Sequence, residues 1–397
     1  ILATLAAPVA SLTFGNTDRS LAVALLALAV LFKLIADGRA ALIQGMRRLR
    51  ELAQMQVLGA LVGSGLGIVA VYLFGERGVA LALVIAAAST LIFSWWYSRR
   101  LNISAPGLRG AEVREGRREL LKLGVVFMSS SVMMMGAAYL VRILVTRHLG
   151  IEAAGLYQAA WAIGGLYIGL VLQAMGADFY PRLTAVASDN RECNRVVNEQ
   201  ATVSLLLAGP GVLATMTLAP LVLSILYSAE FVGAVDLLRW LCLGVSLRVI
   251  SWPLGFILIA KGDRGRFFTS EAGWTFAYLL LAWFTIPAIR LEGAGLAFAA
   301  AYLFHVGLNQ KLAHDLSGFR WSAENKRLAV EYLSLIGVVF AAFQMLEGWL
   351  PTVIGALAVT VSLFRSLKLL AALVSLDRLP GSVVHLLQIL RLASSSR

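Results

Sequence analysis

About twelve runs of mainly apolar residues, each close to 20 residues long, follow one another along this chain and leave it few ways to fold. A run of about 20 mainly apolar residues is long enough to cross the hydrocarbon core as a helix. The runs lie near 20–44, 55–74, 77–97, 121–146, 152–179, 198–226, 236–259, 268–289, 293–312, 328–346 and 352–375, with a partial one at 1–14. The expected fold class is an all-α polytopic membrane protein. The chain's 59% hydrophobic and 14% charged content and mean hydropathy of +0.80 exclude an ordinary soluble domain.

A formal charge of +12 would suggest nucleic acid in a soluble protein. Here the positions of the charges argue otherwise, and no nucleic-acid partner is expected. Of the 34 Lys and Arg residues, 25 gather in alternate loops: 47–50, 99–122, 182–195, 261–266, 311–327 and 365–397. The opposite loops hold Arg19, Arg77, Arg147 and Arg290. By the positive-inside rule the basic side, and with it the C-terminus, is cytoplasmic.

Five cations remain inside or at the edges of spans: Lys33, Arg39, Arg142, Arg239 and Arg248. Arg142 is expected near the middle of the otherwise apolar stretch 121–146. A charge at the bilayer centre costs about 2.5–3.5 kcal/mol on insertion scales. Few acids are at hand to neutralise these groups, so they are expected to hold something anionic. An arginine fork donates two hydrogen bonds to phosphate oxygens and stays charged. Arg142, with Lys33, Arg39 and Arg248, forms the expected cationic site. Bland alternatives stand beside each. Arg142 could be buried against carbonyls or an acid, Lys33 could pair with Asp37 one turn on, and Arg39 could snorkel. Asp236 and Arg239 are expected as a surface pair. Asp178 and Arg182 are four residues apart at a helix end that Pro181 is expected to close. They form either a gate or a plain salt bridge. Gln158, Trp161 and Tyr167 could contact sugar rings or simply pack. Asp37 and Asp178 are the acids read near span interiors. Cys193 and Cys242 lie far apart and the histidines are scattered, so no metal site, disulfide framework or cofactor is expected.

The chain also compares with itself. The basic loop 47–50 falls on 263–266 at an offset of 216, and Gly78-Val79-Ala80-Leu81-Ala82 falls on Gly293-Ala294-Gly295-Leu296-Ala297 at 215. In the first register Lys33 lands on Val249, beside Arg248. Either two homologous lobes are present, or Ala/Leu-rich helices align by composition alone. With two lobes, the expected organisation is two pseudo-symmetric helical lobes around a central cavity. Residues 1–97 then form the remainder of an N-terminal lobe, 98–120 a basic cytoplasmic linker, and 121–313 a C-terminal lobe. A further helix pair at 326–376 and an interfacial helix at 380–392 complete it. Ile1 opens in the middle of an apolar run with no basic n-region. Two preceding helices are therefore expected upstream.

The stretches 149–160 (LGIEAAGLYQAA) and 173–184 (QAMGADFYPRLT), with the basic loop 44–50 (QGMRRLR), resemble the Wzx-type O-antigen translocases. These belong to the multidrug/oligosaccharidyl-lipid/polysaccharide exporter superfamily, and the resemblance covers essentially the whole chain. It implies a flippase of the bacterial inner membrane, not an enzyme. The implied substrate is an undecaprenyl-pyrophosphate-linked oligosaccharide, turned from the cytoplasmic to the periplasmic leaflet by alternating access. Membrane lipids and the polysaccharide polymerase machinery are the implied partners. A drug exporter of the same superfamily would handle organic cations, which cavity arginines would repel. A membrane polymerase or ligase would need catalytic groups on a sizeable outer loop, and every outer loop here is short.

Overall fold

A computed structural model describes residues 7–8, 20–100 and 110–373. The partial span at 1–14, apart from two helical residues, and the interfacial helix at 380–392 lie outside them. Among the described residues there are helices and no strands, as the apolar runs require. The long helices are α1 (Ser20–Gly45), α2 (Leu49–Phe74), α3 (Glu76–Ser98), α4 (Gly110–Leu149), α5 (Ile151–Ala185) and α6 (Asn190–Thr217). After them come the short α7 (Ala219–Leu226), a 3-10 turn at Ala229–Ala234, α8 (Val235–Ala260), α9 (Arg264–Ser317), α10 (Ala323–Met345) and α11 (Leu350–Leu373). The chain divides into two compact units, 1–110 and 111–397.

Three sequence expectations change. The span at 198–226 is two helices, because Pro220 has no N–H to give the preceding turn and opens α7. Half of the basic linker is helical, since α4 already starts at Gly110. Pro181 does not end its helix: α5 continues to Ala185, and the Thr184 hydroxyl bonds the carbonyls of Tyr180 and Pro181 at 3.0 Å each. Such side-chain hydroxyls let proline sit inside helices of membrane proteins.

In the first unit α3 packs on both α1 and α2. Gly59, Gly63 and Gly67, four residues apart, present a smooth stripe of α2 to Thr90, Ala86 and Ala82 of α3. A Cβ on Gly63 would lie 2.8 Å from the Ala86 Cα. With no hydrophobic drive between helices in lipid, this close backbone approach supplies the attraction. The second unit packs the opposite way. Its core is α8, wedged among α5, α6 and α9, and large rings fill glycine notches. The Phe298 ring occupies the notch at Gly244, while Gly295 lets α9 approach the Trp240 Cβ and the Leu237 carbonyl of α8. The α10–α11 pair docks on α6, with the Tyr332 ring in the notch at Gly209.

The internal repeat is visible in the backbone at one constant offset of 215 residues. Helix α1 runs Ser20–Gly45 and α8 runs Val235–Ala260; α2 starts at Leu49 and α9 at Arg264. The turns match bond for bond. Met46, Arg47 and Arg48 donate to the carbonyls of Leu42, Gln44 and Ile43, as Lys261, Gly262 and Asp263 do to Ile257, Ile259 and Leu258. Arg47 (φ 57°) and Gly262 (φ 72°) both take the left-handed conformation that such a helix end needs. The second break matches too, with Gly75 at φ 57°, ψ −135° and Arg290 at φ 56°, ψ −134°. That break divides α9 into the two expected spans. Three residues on, Gly78 and Gly293 each press against the carbonyl eight residues back, that of Ala70 or Thr285; a Cβ would lie 2.3 Å from either. The 216 register matched arginines by charge and was one residue off. At 215, Lys33 is the counterpart of Arg248 itself.

Candidate functional site

Two polar clusters lie inside the second unit, joined by a file of aromatic rings. Arg142 on α4 donates from Nη2 to the Gln158 side-chain oxygen on α5, while its Nε is buried with no protein acceptor among the described residues. Arg142 sits two turns before the end of α4, nearer one end of the span than its middle, where a charge costs less. Next to Gln158, the Tyr157 hydroxyl lies 3.1 Å from that of Tyr278. Trp161, one turn on, packs against Tyr157, Tyr278 and Phe298. The file continues through Trp274 and Tyr302 to His305.

At its far end a cavity of about 210 Å³ opens between α8 and the two halves of α9. Arg248 and Glu271 supply its charge, Trp252, Phe256, Trp274 and Tyr302 its flat apolar walls, and Ser251, His305 and Asn309 its floor. That floor is a closed hydrogen-bonded ring of buried side chains. Asn309 Nδ2 donates to Ser251 Oγ at 2.9 Å and lies 3.2 Å from His305 Nε2. Ser270 donates to Asn309 Oδ1. Ser270 gives its own proton to Asn309 and lies 2.9 Å from Nε2, so the ring proton belongs on Nε2, and Nδ1 accepts from the Ser251 hydroxyl at 3.0 Å. Every member is served, which is what a polar cluster among apolar helices requires. A cation, an acid, aromatic faces and amide groups around one cavity suit a ligand with anionic and hydroxylated parts.

The other expected site residues divide. Lys33 bonds Asp37 at 2.6 Å, and the two side chains are 59% and 53% exposed, so the internal ion pair is present. Arg39 is half-buried on the same helix. Tyr167 donates to the Leu207 carbonyl at 2.7 Å and fills the notch at Gly211, which ties α5 to α6 and leaves its hydroxyl committed. Arg182 bridges Asp178 and Glu199 at 3.4 Å each, and Arg195 continues the network to Glu192 and Glu199. The Asp236–Arg239 pair forms at 3.0 Å, yet Arg239 is only 9% exposed and lies over the Phe343 ring at 3.8 Å; it is not a surface residue.

Sequence inspection passed over Glu271, which lies within the expected span 268–289, and the His305/Asn309 pair. The signal was present: two hydrogen-bonding side chains four residues apart in an apolar run share a helix face. What could not be read was that Ser251 and Ser270 meet them. Among the described residues no group of His, Cys, Asp and Glu could hold a metal ion, and both cysteines are free and buried.

Comparison with known proteins agrees with this architecture. Residues 1–236 match the family described as polysaccharide biosynthesis protein. The lipid III flippase of Escherichia coli (strain K12) is 25% identical over 308 residues, 76% of this chain and 73% of that protein. The lipid III flippase of Shigella flexneri matches equally. Among solved structures, the lipid II flippase MurJ in an inward closed conformation shares the fold with a TM-score of 0.54 at 12% identity, over 86% of this chain and 71% of that one. With more than half its length matched, the chain belongs to the polysaccharide biosynthesis protein family.

Proposed function

We propose that this protein is a flippase for lipid-linked oligosaccharides, a transporter and not an enzyme, in the bacterial inner membrane. The substrate is a glycan on a polyprenyl diphosphate such as undecaprenyl pyrophosphate, an O-antigen or related repeat unit. It turns from the cytoplasmic to the periplasmic leaflet by alternating access, with the C-terminus in the cytoplasm. The observation that carries this proposal is the cavity at Arg248, where a cation and the acid Glu271 sit among aromatic walls and a satisfied polar floor. A diphosphate and its sugars cannot cross about 30 Å of hydrocarbon unless fixed donors and charge replace their hydration. Arg142 is the second cation for the diphosphate, and Lys33 and Arg39 are the candidate cations of the first unit. Gln158 and Trp161 offer sugar contacts along the aromatic file, and Tyr167 braces their helix. Asp178 and Arg182 form the ion pair of a gate. The names of the lipid III and lipid II flippases support the substrate class.

The test is substrate choice in proteoliposomes containing the protein. Translocation of a polyprenyl-diphosphate oligosaccharide, with no uptake of organic cations, is the expected result. Organic-cation transport without glycolipid translocation would overturn the proposal in favour of a drug exporter.

A further inference from the structure

The first unit ends in a basic mouth that its own counterpart in the second unit lacks. Arg48, Arg50, Glu51 and Gln54 at the start of α2 and Tyr97 and Arg100 at the end of α3 line a polar cavity of about 500 Å³. Arg48 bonds Glu51 at 3.0 Å, and this contact holds the Glu51 carboxyl below the usual carboxylate range. Arg99 stacks 4.3 Å over the Trp95 ring, and Arg100 lies 5.4 Å from Trp96 and 5.6 Å from Tyr97. Both tryptophans are about half exposed. Such aromatic pairs at helix ends mark the level where hydrocarbon gives way to headgroups. The mouth therefore opens at the depth of lipid phosphates.

The repeat acts as an internal control. Shifted by 215 residues, Arg48, Arg50 and Arg100 become Asp263, Gly265 and Asp315, and Tyr97 becomes Leu312. The 46–48 turn forms there too, and Asp263–Arg266 repeats the Arg48–Glu51 pair with its charges exchanged, but α9 runs on to Ser317, past the position that matches the end of α3; Arg50 and Arg100 have no basic counterpart, so the shared turn does not demand them. Glu51 neutralises Arg48, which leaves Arg50 and Arg100 as like charges around one cavity, a repulsion that a bound anion would relieve. The neutral donors Gln54 and Tyr97, and a volume well above one phosphate, favour a diphosphate carrying a sugar over a single phosphodiester.

We propose that this mouth binds the diphosphate headgroup of a membrane-anchored ligand at the membrane surface. Arg50 and Arg100 clasp the phosphates, and Glu51 keeps Arg48 oriented. The proposal rests on the lipid-linked diphosphate substrate proposed above, and adds a second site for it at the surface. A fluorophore on Met46→Cys sits two residues before Arg48 of the mouth; Met46 is 42% exposed, while Cys193 and Cys242 are buried and escape labelling. Farnesyl diphosphate titrated into the purified full chain should change the signal, whereas dihexanoyl phosphatidylglycerol at equal concentration should not. Losing two charge-assisted contacts in Arg50→Ala/Arg100→Ala should raise the half-saturation at least about 10-fold. Arg50→Lys/Arg100→Lys keeps the charge without the fork and should fall between. Unchanged titration in the double alanine variant, or an equal response to the phospholipid, would overturn the proposal. Glycolipid translocation is scored separately: translocation with no response at position 46 sinks the mouth alone, and a response without translocation sinks the flippase alone.

Discussion

Asn309→Ala tests whether the floor of the cavity is a coupled structure. The amide makes three contacts: it accepts from Ser270, donates to Ser251 at 2.9 Å, and faces His305 Nε2 at 3.2 Å. On removal, Ser270 keeps its bond from Nε2 at 2.9 Å and Ser251 its bond to Nδ1. Two bonds are then lost outright. Hydrogen bonds between membrane helices average about 0.6 kcal/mol and reach about 1.7 kcal/mol, so the expected loss is about 1–2 kcal/mol. At roughly 2 °C per kcal/mol for a chain of this size, the midpoint of thermal unfolding in detergent should fall by about 2–4 °C. Ser251→Ala combined with Asn309→Ala should cost less than the sum of the two, by about 0.6 kcal/mol. An unchanged midpoint, or strict additivity, would refute the coupled ring.

Other outcomes follow from the packing and the caps. Gly244→Ala places a methyl group 2.3 Å from Phe298 and 3.1 Å from the Ala299 Cα and should cost about 1–3 kcal/mol. Gly307→Ala meets nothing within 4 Å and should leave the same melting curve unmoved. Asp263 caps α9 by accepting from the Arg266 N–H at 2.9 Å, and that bond holds its carboxyl below the usual range. Asp263→Ala should cost about 1 kcal/mol at neutral pH. A depressed carboxyl stabilises the fold above its unfolded value and loses that contribution as pH falls through the folded one. The difference between parent and variant should therefore be constant above about pH 4 and close below it. Lys33→Ala breaks a pair that is more than half exposed and should change stability by less than about 1 kcal/mol, so a loss of translocation in that variant would mark a ligand contact.

Most of the fold was legible because hydrocarbon leaves a 20-residue apolar run no alternative to a helix. The breaks were harder. Pro220 splits a run that composition alone leaves whole, and Pro181 fails to stop α5 because Thr184 covers the turn. The repeat was legible at Gly78 and Gly293, where only glycine fits against the carbonyl behind it. It slipped by one at Arg47, where arginine takes the left-handed position that Gly262 fills in the second copy. Cations stand out in apolar runs whatever their surroundings, so Arg142 and Arg248 were readable one by one. The cavity was not, because Ser251, Ser270, His305 and Asn309 meet only once α8 and both halves of α9 have packed. Nor could the sequence tell that Trp161 and Trp274 belong to one aromatic file.

The central claim is that cations held at membrane depth carry a diphosphate-linked glycan across. The most direct measurement is the rate at which proteoliposomes translocate a polyprenyl-diphosphate oligosaccharide, for the parent protein, Arg142→Ala and Arg248→Ala. Each arginine contributes a charge-assisted contact of about 1.5–3 kcal/mol. Each variant, inserted and folded as the parent is, should thus be slower by about 10-fold or more. Parent-like rates in both variants would contradict the claim.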